Sequence, residues 1–288
     1  MYCRSMKSAA TFPKIIKPSY NTRSLNITCA RTMTSNSSSP PKFPLPKIAP
    51  LPRSLYPTTF DFKPSDFHRQ DESPDTEWYS QPRFVQHIDD GAIAILKHYY
   101  STFITPRSSV LDICSSWVSH LPSSLKPISM IGIGMNEAEL HRNEHLTKYF
   151  VKDLNLDPTL EGIENDSMDV VICNVSVDYL TRPIKVFEEM NRVLKEGGEA
   201  HMAFSNRCFP TKVVGKWMGM DDEERRKWVG GYFWASGGWE DVEEVVLKEG
   251  GGSGFLGLRG YEDPVFVKVR EEDETDLRGG GCGFDSGL

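Results

Sequence analysis

Four short apolar runs set the rhythm of this chain, at 110–114, 128–133, 168–174 and 199–204. They are β-branched and leucine-rich, and most close on a small or polar residue. This is the pattern of strands covered on both faces. A shorter run at 149–152 predicts another strand. Between the runs the apolar period lengthens. Phe84, Ile88, Ala92, Ile95, Leu96 and Tyr99 fall near one face of a helix over 82–100, and a second helix begins at 137–141. Val186, Phe187, Met190 and Val193 mark a third over 184–194, with Gly197 and Gly198 expected to cap it. Two final strands are predicted at 242–248 and 264–269, separated by a glycine-rich loop at 250–257. Strands alternating with helices predict an α/β domain with a doubly wound, mostly parallel sheet.

In such sheets ligands sit beyond the carboxyl ends of the strands, where the strand order reverses. The predicted strand ends carry Asp112 to Ser116, Gly134 to Asn136, Asp153 with Leu154, Asn174, and Ser205 to Arg207. A core alone does not require polar termini on five strands. Each has a plain structural alternative: Asp112 as a turn cap, Asp153 as an Asx turn and Asn174 as a satisfied buried amide.

Charge divides the chain. The 288 residues carry 33 Lys and Arg against 40 Asp and Glu, yet Asp61 is the first acid, and nine of the basic residues precede it. The first 40 residues hold 13 Ser or Thr. A basic, hydroxyl-rich, acid-free leader reads as an organelle transit peptide over 1–30, with Ile27 to Ala30 at the cut. The address is the chloroplast stroma, with the mitochondrion as alternative. Eight prolines between Pro40 and Pro64 predict an extended linker over 31–75. Glu271 to Glu274 and Gly279 to Gly281 mark a polar tail over 271–288. No apolar run approaches the roughly 18 residues of a membrane span. Six cysteines without a Cys-x-x-Cys pair give no metal site. Cys114 and Cys173 end neighbouring strands and read as reduced core thiols within reach of one another.

The order of these features, with the turn Arg192-Val193-Leu194-Lys195-Glu196-Gly197-Gly198, resembles the Rossmann-like S-adenosylmethionine-dependent methyltransferases, specifically the small-molecule type 11 group. The resemblance spans about 78–270 and implies a methyltransferase-like domain over 76–270. Its sheet would have seven strands, mostly parallel with the last antiparallel, and helices on both faces. It also implies roles. The loop Cys114-Ser115-Ser116 would wrap the methionine part of S-adenosylmethionine, Asp112 would serve its ammonium directly or through that loop, Asp153 and the Leu154 N–H would read the adenine, and Asn174 would contact the methionine end. The chain departs from the family twice. Cys114-Ser115-Ser116 stands where Gly-x-Gly is usual, and Gly134 replaces the acid that grips the ribose. Asn136 is the neutral substitute for that acid.

Methyl transfer from a sulfonium needs an acceptor held in line and little else, so no catalytic base is assigned. Asp178, Tyr179, Arg207 and His87 are expected near the mouth. Trp78, Tyr79, Arg83 and Phe84 form an aromatic and cationic cluster that would close over the cofactor, bind an anionic substrate or pack on the sheet. Tyr79, Arg83, Tyr179 and Arg207 are the candidate substrate residues, Arg207 foremost, because a guanidinium suits a carboxylate or phosphate. Asn174-Val175-Ser176-Val177 lacks the Pro-Pro-aromatic sequence of amine-methylating enzymes. The acidic chain beyond residue 60 shows no basic stripe for nucleic acid. A small-molecule methyltransferase is the leading expectation. A non-catalytic descendant with a degenerate cofactor motif is second, and an NAD(P)-dependent enzyme on a related fold is third.

Overall fold

The computed structural model describes residues 46–248 and the strand at 265–269. The transit-peptide reading, the loop at 250–257 and the tail lie outside these residues. The strands are β1 (Lys47–Pro50), β2 (Ser109–Ile113), β3 (Ser129–Gly134), β4 (Lys148–Val151), β5 (Met168–Asn174), β6 (Leu194–Ala203), β7 (Glu243–Lys248) and β8 (Val265–Val269). The helices are α1 (Asp75–Trp78), α2 (Asp90–Phe103), α3 (Glu137–Arg142), α4 (Pro183–Val193), α5 (Gly215–Met218) and α6 (Asp222–Ser236).

Five strands form a parallel sheet in the order β4-β3-β2-β5-β6. The chain winds outward from β2 to β4, then returns to β5 and winds the other way. The switch point therefore lies between β2 and β5. Successive side chains of these central strands alternate between two cores, as the two-residue strand period demands. Val110, Val170 and Ile172 pack with Met130 beneath α2. Leu111, Ile113, Val171 and Cys173 pack with Phe187, Met190, Tyr232 and Phe233 of α4 and α6. Helices thus cover both faces.

The expected seven-stranded sheet is not what forms among the described residues. The remaining strands make a separate antiparallel sheet, β1-β7-β8, with β8 lying beside β6. The linker reading also fails from residue 46 onward. Lys47 to Pro50 pairs along β7, Leu51 is buried, and Tyr56, Phe62 and Phe67 pack against the core. Phe62 meets Trp228 edge-on at 4.8 Å and Tyr232 at 5.5 Å. The prolines exclude helix as expected, but the aromatics between them find a surface on α6. Fully burying such a ring contributes about 1.5–3 kcal/mol; three partly buried rings, buried Leu51 and the β1–β7 pairing together hold the segment.

Local signals explain other differences. α2 starts at Asp90 because the Asp89 side chain accepts the Ala92 N–H at 2.7 Å; residues 82–89 precede it as a loop. α4 ends at Val193, and Gly197, at φ +73°, lies inside β6, where the pairing with β5 shifts register. α6 carries a reciprocal capping box from Asp221 and Glu224. No helix follows β2: residues 115–128 run to β3 as loop. Among the described residues no helix is long and apolar enough to cross a membrane.

Candidate functional site

A cavity of about 370 Å³ opens over the carboxyl ends of β2, β3, β5 and β6. Its wall includes Asp112, Cys114, Ser115, Ser116, Asp153, Leu154, Asn174, Tyr79, Arg83, His87, Tyr179 and Arg207. Eleven of the twelve were expected at the cofactor or substrate sites; His87 was expected near the mouth.

Asp112 organises the floor. It is 1% exposed and accepts from the hydroxyls of Ser115 at 2.7 Å and Ser119 at 2.6 Å. Burial pushes its carboxyl up to about 6, while the Ser119, Ser115 and Asn174 hydrogen bonds draw it down. It therefore holds the loop rather than pointing freely at a ligand. Asn174 accepts from Tyr100 Oη at 2.7 Å, and its amide donates to the Ser119 carbonyl at 3.4 Å. The satisfied-amide alternative describes it well.

The loop after β2 adopts without glycine what glycine would make easy. Cys114 sits at φ +53°, and Val175, just after β5, at φ +45°. A β-branched residue there is strained by about 1–3 kcal/mol, a cost met mostly at functional sites. Ser115 donates its N–H to the Ile133 carbonyl at 2.7 Å. This brings the Ser115 carbonyl against Gly134, where a Cβ would stand 2.0 Å from that oxygen. No side chain fits there, which explains the missing acid. Cys114 and Cys173 are both free thiols, and the hydrogen-bonding Cys114 thiol, with burial, pushes Cys173 well up.

Two expectations need correction. Asn136 does not face this cavity: its Oδ1 caps α3, accepting from the N–H groups of Ala138 and Glu139, and its amide donates to the Tyr79 carbonyl. It lines a neighbouring open groove together with Tyr79 and Tyr149. Asp178 is 2% exposed, with Oδ2 unpartnered, and lies outside the cavity wall. Burial raises it to about 8, so it is mostly protonated at neutral pH. Asp153 does line the cavity, but its Oδ1 closes an Asx turn on the N–H groups of Asn155 and Leu156.

Several wall residues had not been foreseen. Glu139 accepts from the Arg83 backbone N–H and from Ser116 Oγ, both at 2.6 Å. Its signal was the spacing Asn136-x-x-Glu139, a cap and its third helical residue; here the glutamate reaches outward instead of back. Lys212, 1% exposed, lies 3.4 Å from Asp75 and 3.3 Å from Asp71, and Arg69 grips Asp75 through both carboxylate oxygens. This cluster straps residues 69–79 over the mouth, and nothing in the linear spacing announced it. His120, buried at φ +56° with Nδ1 unpartnered, is pushed down to about 4 by burial and by Lys97 and His87.

Arg83 stands over the Trp78 ring at 4.7 Å, with Tyr79 at 5.8 Å and Phe209 at 5.9 Å. Tyr179 Oη accepts the Phe209 N–H at 2.7 Å and fixes that ring's backbone. Phe84 turns away, exposed, against Trp117 and Arg142.

Residues 127–202 match a family model described as a methyltransferase domain. The match runs from just before β3 through most of β6, and leaves out the loop 114–116. No curated protein matches. Among solved structures, an S-adenosylmethionine-dependent methyltransferase from Archaeoglobus fulgidus is 13% identical, covering 64% of this chain and 94% of that one, with a TM-score of 0.44. A Pyrococcus horikoshii protein is 16% identical over 68% and 99% of the two chains, with a TM-score of 0.42. The methyltransferase CalH, solved with S-adenosylhomocysteine, is 13% identical over 62% and 55%, with a TM-score of 0.41. The segment between β3 and β6 therefore carries a methyltransferase-domain match, and that match supports S-adenosylmethionine as the cofactor.

Proposed function

We propose that this chain is an S-adenosylmethionine-dependent methyltransferase acting on a small molecule. The observation that carries the reading is the cavity at the β2/β5 switch point, floored by a loop that Asp112 holds through two serine hydroxyls. Its volume falls within the roughly 300–1,000 Å³ of small-molecule sites.

The residues present fit such a cofactor at its methionine end. The left-handed backbone at Cys114 turns the chain over the end of β2, and the Asp112 carboxyl, raised by burial to about 6, sits beneath that turn. Leu154 offers an apolar surface and Asp153 a partly engaged carboxylate on the far wall. When bound, the cofactor supplies an electrophilic methyl group on a sulfonium. The chain's own contribution is positioning and exclusion of water. Tyr79, Arg83, Tyr179 and Arg207 stand on the side from which we expect a small acceptor to be presented. The acid-free leader supports the plastid stroma as the compartment, with the mitochondrion second.

One observation favours a non-catalytic relative. The Ser115 carbonyl fills the space at Gly134, and no helix N-terminus follows β2 to receive a carboxylate. Calorimetric titration with S-adenosylhomocysteine, using NADH as control, separates the readings. Micromolar binding of S-adenosylhomocysteine alone is expected for the methyltransferase. A folded protein that binds neither would be the non-catalytic relative.

A further inference from the structure

Arg83 is the cation on the cavity wall whose charge the described residues leave unanswered. Arg69 and Lys212, on the same wall, each hold carboxylates: Asp75 for both, with Asp71 added for Lys212. The guanidinium of Arg83 has no carboxylate within ion-pair distance among the described residues, and its Nη1 has no hydrogen-bond partner. A half-buried guanidinium with an empty donor is costly unless something anionic completes it.

Its surroundings specify the rest of the ligand. Trp78, Tyr79 and Phe209 stand around the guanidinium, and Phe209 also meets His87 at 5.4 Å and Tyr179 at 6.2 Å. Of these rings Tyr79, Phe209, His87 and Tyr179 line the cavity, and they favour offset or edge-on contact with another flat ring. The charge balance limits the anion. Arg69 and Lys212 on this wall are held by Asp71 and Asp75, and Lys152 by Asp157, so they are not free to meet a second negative charge, while Glu139 and Asp153 stand on the same wall. Burial lowers His87, which keeps that ring from adding a positive charge beside Arg83, while Lys212, over the same Trp78 ring at 5.9 Å, is held by Asp71 and Asp75. A planar fork matches one carboxylate, with two parallel bonds available.

We infer that Arg83, backed by Trp78, and the rings of Tyr79 and Phe209 form a binding site for an aromatic monocarboxylate. The inference deepens the methyltransferase reading and rests on it for the ligand's role as methyl acceptor. Arg83 is tied to the cofactor side through Glu139, which bridges its backbone N–H to Ser116 Oγ. The residue that would hold the carboxylate is thus joined, through its backbone and Glu139, to the loop that floors the cavity.

The test is calorimetric titration of the full chain, with S-adenosylhomocysteine present, using benzoate and cinnamate. Benzamide (neutral), acetate (no ring) and phenyl phosphate (dianionic) are the comparison ligands. We expect the aromatic carboxylates to bind at least tenfold tighter than each of these three. Arg83→Gln should lose at least tenfold in cinnamate affinity while S-adenosylhomocysteine binding stays within twofold. Arg83→Lys, which keeps the charge but not the fork, should fall between. Equal binding of benzamide, acetate or phenyl phosphate would overturn the proposal, as would undiminished cinnamate binding by a folded Arg83→Gln protein or no carboxylate binding by wild type. Cinnamate binding without S-adenosylhomocysteine binding would leave this site standing and remove the methyltransferase reading; the converse result would do the reverse.

Discussion

Replacing Gly134 with alanine puts a methyl group 2.0 Å from the Ser115 carbonyl oxygen and 3.0 Å from Leu140 Cδ2. Atoms cannot share that space, so the oxygen must retreat by roughly 1 Å or more. Two bonds hold Ser115 in place, its N–H to the Ile133 carbonyl and its hydroxyl to Asp112, each 2.7 Å long. Moving the carbonyl loosens both. A neutral bond is worth about 1 kcal/mol and one to a carboxylate about 1.5–3 kcal/mol, so Gly134→Ala should cost about 3 kcal/mol. In a domain of this size that lowers the melting temperature by roughly 6–12 °C. Gly219→Ala is the control, because its Cβ would meet nothing nearer than 3.9 Å. The assay is thermal and urea unfolding of both variants, with S-adenosylhomocysteine titration of whatever remains folded. Gly134→Asp, which adds a larger and charged side chain at the same point, should be worse on both counts. A Gly134→Ala protein as stable as wild type, with unchanged ligand affinity, would refute the packing argument.

Asp178→Asn should stabilise the protein at neutral pH. The native carboxyl keeps its proton up to about 8 while the unfolded one releases it near 3.8, a penalty of roughly 4 kcal/mol at pH 7 if fully expressed. Since the folded state binds the extra proton, this contribution weakens stability as pH rises from 4 to 8. Melting curves across that window should show a shallower decline in the variant, and parallel slopes would contradict the assignment. Lys212→Met removes the buried ammonium that Asp71, Ser73 and Asp75 surround. Arg69 still holds Asp75, so the loss is that of the ammonium's hydrogen bonds to the Asp71 and Ser73 carbonyls, about 1.5–3 kcal/mol in urea unfolding; a neutral effect would mean that the cluster does not hold the strap. Phe62→Ala should cost about 2–3 kcal/mol by the same measurement, whereas a freely extended connector would make it silent.

The central strands were readable because burial on both faces leaves an unbroken apolar run. The run at 168–174 coincides with β5, and those at 110–114 and 128–133 differ from β2 and β3 by one residue at each end. Periodicity misled where a ring did not go inward: Phe84 was counted on a buried face but stands exposed beside Trp117, so the helix seemed to begin eight residues early. α6 went unread despite its Asp221–Glu224 box, because two glycines and three tryptophan or tyrosine rings blur its apolar stripe. At the site, strand-end residues could be found from order alone, since topology delivers them to one edge. Asn136 could not be assigned from order, because an amide at a helix start is consumed by the backbone. Lys212 lies far from Arg69 and Asp75 in sequence and meets their cluster only through the fold.

The placement of β7 bears on the order in which the molecule can be completed during synthesis. Its two neighbours are the first and last strands described, with Lys47 opposite Val246 on one side and Val269 opposite Glu243 on the other. β1 leaves the ribosome early, yet it has no partner until nearly the whole domain has followed. Pairings this distant in sequence close late and slowly. The parallel sheet can therefore assemble first, while Phe62 and Phe67 wait for α6 and Leu51 stays open to chaperones until the segment that leads into β7 arrives.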